Sequence, residues 1–332
     1  MSTRLQLGIS FAANPRTWPL IDGSVKVDGV DLVISVLHPS EIFWRQLRFA
    51  EFDVSEMSMS SLMMAKAHGD DRFVGVPIFT SRRFFHTGII VRAGAGIDRP
   101  GDLKGKRVAV PEYQQTAALW ARGVLQHEWG VAAHDMEWWM ERAPAHSHGG
   151  ATGFAPPPGV TIHTIAPDQN IGTMMVAGEV DAAIHYIAND NLVDRSSIDL
   201  WNRADMRPLF ADRIAEGARY YGKTGLFPIN HGMVVKREIA ERHPWVILNL
   251  LTAFERATAV AERRRAELVA DHVATGLVSA EAKAALERAL FPHGIRANRA
   301  ILETCAAYSH EQGLTPRLMK LEEIFAASTL EQ

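Results

Sequence analysis

Fourteen histidines lie along this 332-residue chain, and four of them stand where short apolar runs would meet loops. His86 follows the basic, aromatic turn Ser81–Phe85, and His185 closes DAAIHY. His231 follows Asn230 in INHGMVV, and His148 lies in the loop sequence HSHGG. Imidazole titrates near neutral pH and serves as general acid or base. Several such groups at the strand ends of an open α/β sheet could carry protons to and from a ligand. Any single one is more often a satisfied structural histidine than a catalyst; His231 and His148 are the favoured proton carriers. A guanidinium grips a carboxylate through two parallel N–H bonds. Arg82 and Arg83 are well placed as such a clamp, with one of the pair left for surface or interface. Arg16, in AANPRTWP, is a second clamp or a plain loop arginine. The set His146, His148, His185 and His231 could instead hold a divalent metal, although the spacing matches no zinc signature.

Two segments must position these groups. Phe52–Ser61 (FDVSEMSMSS) and Arg107–Trp120 (RVAVPEYQQTAALW) each read as strand, sharp turn and helix start. The first backbone N–H groups of a helix lack internal partners and carry the positive end of its dipole. Two such ends facing each other suit a small carboxylate. Ser58, Ser60 and Ser61 can cap the first helix, and Gln114, Gln115 and Thr116 the second. Glu56 and Glu112 precede the helix starts and read either as proton acceptors or as partners of an arginine. Tyr113, Trp138 and Trp139 could wall an aromatic ring, with one of the tryptophans in the core.

Strands alternate with helices from Leu5 to Tyr186, which calls for a parallel-rich sheet with covered faces. Expected strands include Leu5–Phe11, Val30–Leu37, His86–Arg92, Met136–Trp139, Asp181–Tyr186 and Gly232–Lys236. Pro39–Phe49 is a helix capped by Ser40, and Pro144–Gly159 is an irregular loop. The tail is helical over Pro244–Leu268, Ala280–Leu290, Asn298–Gln312 and Pro316–Phe325, and its apolar stripes need a sheet to cover. The chain therefore forms two lobes: residues 1–88 with 229–332, and 89–228. Crossings near Phe85–Val91 and Leu226–Val234 leave a cleft between them.

Length suits two lobes of ordinary size. A hydrophobic content of 47%, a charged content of 22% and a net charge of −3 give no reason to expect nucleic acid or an anionic membrane as partner. The N-terminal stretch alternates apolar with polar residues, unlike a signal peptide. The single cysteine, Cys305, lies in a helical stripe and reads as a packing thiol. These features lead us to expect a cytoplasmic protein.

FDVSEMSMSS, GKRVAVPEYQQTAALWARGVL, TGLFPINHGMVV with HPW, and HGIRANR with EQGLTPR together resemble the 4,5-dihydroxyphthalate decarboxylase family, from Phe52 to Arg317. The resemblance implies a type II periplasmic-binding-protein-like fold, two α/β lobes around a ligand cleft, with the helical C-terminal segment packed on the first lobe. It further implies non-oxidative loss of CO2 from a hydroxylated aromatic carboxylic acid, without an organic cofactor. Such chemistry needs a cationic clamp, an acid at the ring carbon and an acceptor for the phenol proton. The residues assigned to it are His231, His148, His185 and His86 as proton carriers. Arg16, Ser58, Ser60, Arg82, Arg83, Glu112, Tyr113, Gln114, Gln115, Thr116 and Asn230 are assigned to the substrate. Alternatives are a binding protein of the same fold without catalysis, or a metal-dependent enzyme in the same cleft. Apolar faces on the C-terminal helices fit a homodimer.

Overall fold

A computed structural model describes residues 4–189 and 191–332; the first three residues of the N-terminal stretch lie outside the description. The strands are β1 (Leu5–Phe11), β2 (Val30–Val36), β3 (Val54–Ser58), β4 (Phe73–Arg82), β5 (Ile90–Arg92), β6 (Arg107–Val110), β7 (Glu137–Met140), β8 (Ile162–Thr164), β9 (Ala182–Ala183), β10 (Met206–Pro208) and β11 (Ile229–Lys236). The helices are α1 (Trp18–Ile21), α2 (Pro39–Phe49), α3 (Met59–Ala67), α4 (Thr116–Trp129), α5 (Gly149–Thr152), α6 (Ile171–Ala177), α7 (Arg213–Thr224), α8 (Arg237–Arg242), α9 (Trp245–Ala274), α10 (Ala280–Glu287), α11 (Arg299–Glu311) and α12 (Leu321–Ile324).

Two sheets form, in the orders β2-β1-β3-β11-β4 and β10-β5-β9-β6-β7-β8. Within the first, β1 runs parallel to β2 and β3, while β11 is antiparallel to β3 and β4. Within the second, β9, β6, β7 and β8 are parallel, and β5 and β10 pair antiparallel at the edge. The chain leaves the first sheet after Arg82 and rejoins it at Ile229, so two strands of connecting backbone link the lobes. Sites on such sheets lie beyond the strand ends, where the connections converge.

Helix α9 covers the first sheet through Val246, Ile247, Leu250, Leu251, Phe254 and Ala257, the three-to-four spacing of a core-facing stripe. Phe254 meets Phe11 edge-on at 5.9 Å. Helix α4 is buried from Thr116 to Leu125. Its Gly123 lies against Tyr308 of α11, so close that a Cβ there would lie 2.1 Å from the ring. Trp120 Nε1 donates to the Ile229 carbonyl at 2.9 Å, tying α4 to β11. The C-terminal segment closes on the first sheet, where the Ala326 N–H donates to the Gly75 carbonyl at 2.9 Å. Among the described residues no helix is long and apolar enough to cross a membrane.

Several local expectations change. His38, not Ser40, is the N-cap of α2, and its Nδ1 accepts from the Ser40 N–H at 3.4 Å. Pro39, with fixed φ and no N–H, takes the first helical position, so the helix begins where expected and its cap falls one residue before it. His86 lies in a 3₁₀ turn, Phe85–Gly88, with strand only from Ile90. The strand predicted over Asp181–Tyr186 shrinks to β9, because His185 takes φ +54° and turns the backbone out of the sheet. One helical turn, α5, forms inside the expected loop Pro144–Gly159. Helix α9 runs six residues past Leu268, whereas helix in Pro316–Phe325 is confined to α12.

Candidate active site

Between the lobes lies a cavity of about 330 Å³, within the usual size range of small-molecule sites. The start of α2, the ends of β3 and β4, and β11 supply one wall, with Phe43, Ser58, Ser81, Arg83, Asn230 and His231. The facing wall carries Gln115, Thr116, Arg142, His148, His185 and Tyr186.

His231 stands in β11 opposite Ser58 and Ser81. Its Nδ1 donates to Glu56 Oε1 at 2.7 Å. Glu56, in β3, is buried; the Thr80 hydroxyl donates to Oε1 at 2.6 Å and the Ala12 N–H to Oε2 at 2.8 Å. Burial alone would raise this carboxyl, but His231 and the two other donors hold it below its ordinary value. With Glu56 accepting at Nδ1, the favoured tautomer has its lone pair on Nε2, where the Asn230 amide nitrogen lies at 2.7 Å. Phe43 supports the ring edge-on at 4.7 Å.

A second buried charge cluster underlies the opposite wall. Arg142 donates to Glu112 Oε2 at 2.7 Å, to Asp194 Oδ1 at 2.8 Å and to Ser40 Oγ at 2.6 Å. Although burial opposes its charge, the two carboxylates raise the pKa of this guanidinium. Despite burial, Arg142 pulls Asp194 down to about 2, and His148 and Arg142 lower Glu112. His148 is fully engaged: Nδ1 is 3.3 Å from Ser61 Oγ and 3.4 Å from Glu112 Oε2, and Nε2 faces Arg142 Nη1 at 3.4 Å. Burial lowers it from the ordinary histidine value, Arg142 adding to the effect against Glu112. Its Nε2 faces a guanidinium, where an added proton would be repelled, and this disfavours a proton-carrying role.

His185 differs. No protein group hydrogen-bonds its ring nitrogens among the described residues, and its ring meets Phe85 edge-on at 5.6 Å. Burial, with positive charge at Arg83 and His231, depresses it to about 3, so it stays neutral. A non-glycine residue in the left-handed region costs ~1–2 kcal/mol, and here that conformation turns the imidazole onto the cavity. Arg83 also faces the cavity and makes no ion pair or side-chain hydrogen bond among the described residues.

Other predicted site residues lie elsewhere. Arg82 is a structural anchor: it donates to the Pro292 carbonyl at 2.9 Å and to Asn298 Oδ1, and burial lowers it to about 10. Arg16 donates to the Thr80 carbonyl at 2.8 Å and stacks 3.6 Å over Phe291. His86 bonds Glu216 at 3.0 Å outside the cavity and is pushed by burial to about 4. Glu112 is an arginine partner, and Gln114 donates to it. Tyr113 lies beneath Arg122, 3.8 Å from its ring, and edge-on to Trp138. Trp139 stacks on His163. The two helix starts do face each other, but neither α3 nor α4 has a side-chain cap. Instead Ser58 and Thr116 hydroxyls meet at 2.8 Å, and Ser60 Oγ donates to the Gln114 carbonyl at 2.6 Å. These bonds pin the lobes together beside the cavity rather than cupping an anion. His146 packs on Trp44, and among the described residues no group of three or more His, Cys, Asp or Glu is placed to hold a metal ion.

Sequence reading missed His38, Ser40, Phe43, Ser81, Arg142 and Tyr186. Arg142 had a usable signal, a charged residue two positions after the strand EWWM; the others gave none.

Two mixed α/β lobes around a cleft lined by histidines and an unpaired arginine define a periplasmic-binding-protein-like scaffold equipped for acid–base chemistry. The alkanesulfonate-binding protein SsuA of Xanthomonas axonopodis pv. citri superposes with a TM-score of 0.56 at 17% identity, over 99% of this chain and 98% of that one. The desulfurization enzyme DSZB gives 0.54 at 15% identity, over 97% and 96%. No protein-family model matches the chain. The 4,5-dihydroxyphthalate decarboxylase of Comamonas testosteroni is 34% identical over 332 residues, 99% of this chain and 98% of that protein. That of Pseudomonas putida is 37% identical over 181 residues, 54% and 70%. The chain belongs to the 4,5-dihydroxyphthalate decarboxylase family, and is thereby a carboxy-lyase acting on a hydroxylated aromatic acid.

Proposed function

We propose that this enzyme removes one carboxylate from 4,5-dihydroxyphthalate, or a close dihydroxylated relative, by protonating the ring carbon that bears it. The balance is an aryl carboxylate plus one proton giving the arene and CO2, so each turnover consumes a proton. Protonation first spares the system a bare aryl anion: a ring hydroxyl para to that carbon feeds electrons in, a ketone-like intermediate forms, and the C–C bond then breaks.

His231 carries the proton. Glu56 fixes Nδ1 and balances the charge on the imidazolium. The proton passes through Nε2, which in the resting site faces the Asn230 amide nitrogen at 2.7 Å in the cavity wall and reaches the substrate once that amide turns aside. Arg83, free of protein partners, holds the retained carboxylate. Arg142 cannot do so, because Glu112 and Asp194 already neutralise it. His185, kept neutral, accepts a hydrogen bond from a ring hydroxyl and favours its ionisation as the ring is protonated. The phenyl ring lies against Phe43 and Phe85. We place the reaction in the cytoplasm, where the one buried thiol, Cys305, stays reduced.

The Glu56–His231 pair opening onto a cavity with an unpaired guanidinium is the observation that carries this reading. Incubation with 4,5-dihydroxyphthalate should release one CO2 per substrate. His231→Asn should slow that release ~10²-fold or more, and slow it more than it weakens binding. Tight binding by the wild type with no CO2, or a His231→Asn variant as fast as wild type, would overturn the proposal.

A further inference from the structure

Behind Arg83 and His185 the cavity does not end. A second hollow of about 150 Å³ shares Arg83, Phe85, His185 and Tyr186 with the first and adds Gly88, Trp201 and Arg213. Four shared lining residues make the two spaces neighbours across a partition formed by His185 and Arg83. The annex carries its own cation. Arg213, at the first position of α7, has no ion pair or side-chain hydrogen bond among the described residues. Its guanidinium carbon lies 4.4 Å over the Trp201 ring. Stacking occupies the face of a guanidinium and leaves its in-plane N–H groups free to donate. The nearby carboxylates are already committed: Asp212 accepts from the Ile214 and Ala215 N–H groups, and Asp199 from Trp201 N–H and Asn202.

We infer that this annex is a second carboxylate subsite, and that Arg213 on its Trp201 platform makes the enzyme select aromatic dicarboxylates over monocarboxylates. The inference rests on the proposed decarboxylation and deepens it. Arg83, at the junction, touches the retained carboxylate from the ring side, and Arg213 approaches it from the annex. A product or competitor with one carboxylate cannot both leave a carboxylate at the reacting end of the cavity and place another between the two guanidiniums. Arg142 is consumed by its two carboxylates, and Arg83 can pair with a monoacid as well as a diacid. Arg213 is the other unpaired cation among the described residues lining the two hollows, and the one that makes that distinction.

The probes are phthalate and benzoate, titrated calorimetrically into the wild type, Arg213→Met and Arg213→Lys at one fixed ionic strength. Wild type should bind phthalate more tightly than benzoate. Arg213→Met should weaken phthalate about tenfold, the worth of one charge-assisted bond, and benzoate less than twofold. Arg213→Lys should restore part of the preference, since it keeps the charge but loses the stacked fork. Trp201→Leu, which removes the platform and spares the charge, should show a smaller loss in the same direction. An Arg213→Met variant with wild-type phthalate affinity, or with equal losses for both acids, would overturn the subsite. CO2 release by the wild type is read separately. Release without the Arg213 effect rejects the annex alone, and the Arg213 effect without release rejects the decarboxylation while keeping the subsite.

Discussion

Replacing Glu56 by Gln isolates the charge beneath His231 at nearly constant shape. In the native protein Oε1 accepts from His231 Nδ1 at 2.7 Å and from Thr80 at 2.6 Å, and Oε2 accepts from the Ala12 N–H at 2.8 Å. A glutamine oxygen can keep the first two bonds, but its NH2 group then faces another donor at Ala12. That mismatch costs ~1–3 kcal/mol of stability. The larger effect is electrostatic. A unit charge close to the protonated ring contributes roughly 4 kcal/mol at an effective dielectric of 20, and the imidazolium needs that support when it carries the proton. Loss of ~3–4 kcal/mol corresponds to a ~10²–10³-fold fall in kcat. The assay is CO2 release at saturating 4,5-dihydroxyphthalate, with thermal unfolding to show that the variant is folded. Introducing the same substitution into His231→Asn should add less than about threefold, because two residues acting as one unit do not add. A folded Glu56→Gln enzyme within threefold of wild type, or fully additive losses in the double variant, would refute the assignment.

Arg83→Met should raise KM for the diacid ~10- to 100-fold with a smaller change in kcat, read from initial rates, since it removes a clamp rather than a proton carrier. Stability should fall with acid well before carboxylates titrate. His86, His185 and His293 are depressed by burial to about 4, about 3 and about 4, against ~6.5 unfolded. Their contribution is complete above pH ~6.5 and is lost as pH drops through ~4, at up to ~1.4 kcal/mol per pH unit for each group; a melting temperature flat from pH 7 to 4.5 would contradict it. Gly123→Ala should destabilise by ~3 kcal/mol or more, because its Cβ would lie 2.1 Å from the Tyr308 ring; Gly101→Ala, with nothing within 4 Å, is the matched control, and equal melting temperatures would refute the packing.

The fold was legible because its two strand–turn–helix units carry their own punctuation, and the apolar stripe of α9 demands a sheet. Short, locally strained pieces were not: His185 leaves β9 through a positive φ that no propensity announces for histidine. At the site, strand-end reasoning named His185, Asn230 and His231, and helix-start reasoning Gln115 and Thr116, all of which line the cavity. It could not choose between Arg82 and Arg83, because neighbours along an extended backbone point to opposite sides. One anchors the C-terminal segment and the other faces the cleft. Nor could it tell a free imidazole from an engaged one. His148 is occupied by Arg142 and Ser61, and His86 by Glu216, 130 residues away. Such partnerships exist only once the chain is folded.

The contacts that join the lobes have a kinetic consequence. Ser40 to Arg142, Ser61 to His148 and Ser58 to Thr116 are bonds of the protein with itself. A receptor on this scaffold that relies on its guest to shut the cleft dwells open until one arrives. Here the closed arrangement has its own adhesive, so the catalyst rests near its working shape and guest affinity need not be drained to hold it shut.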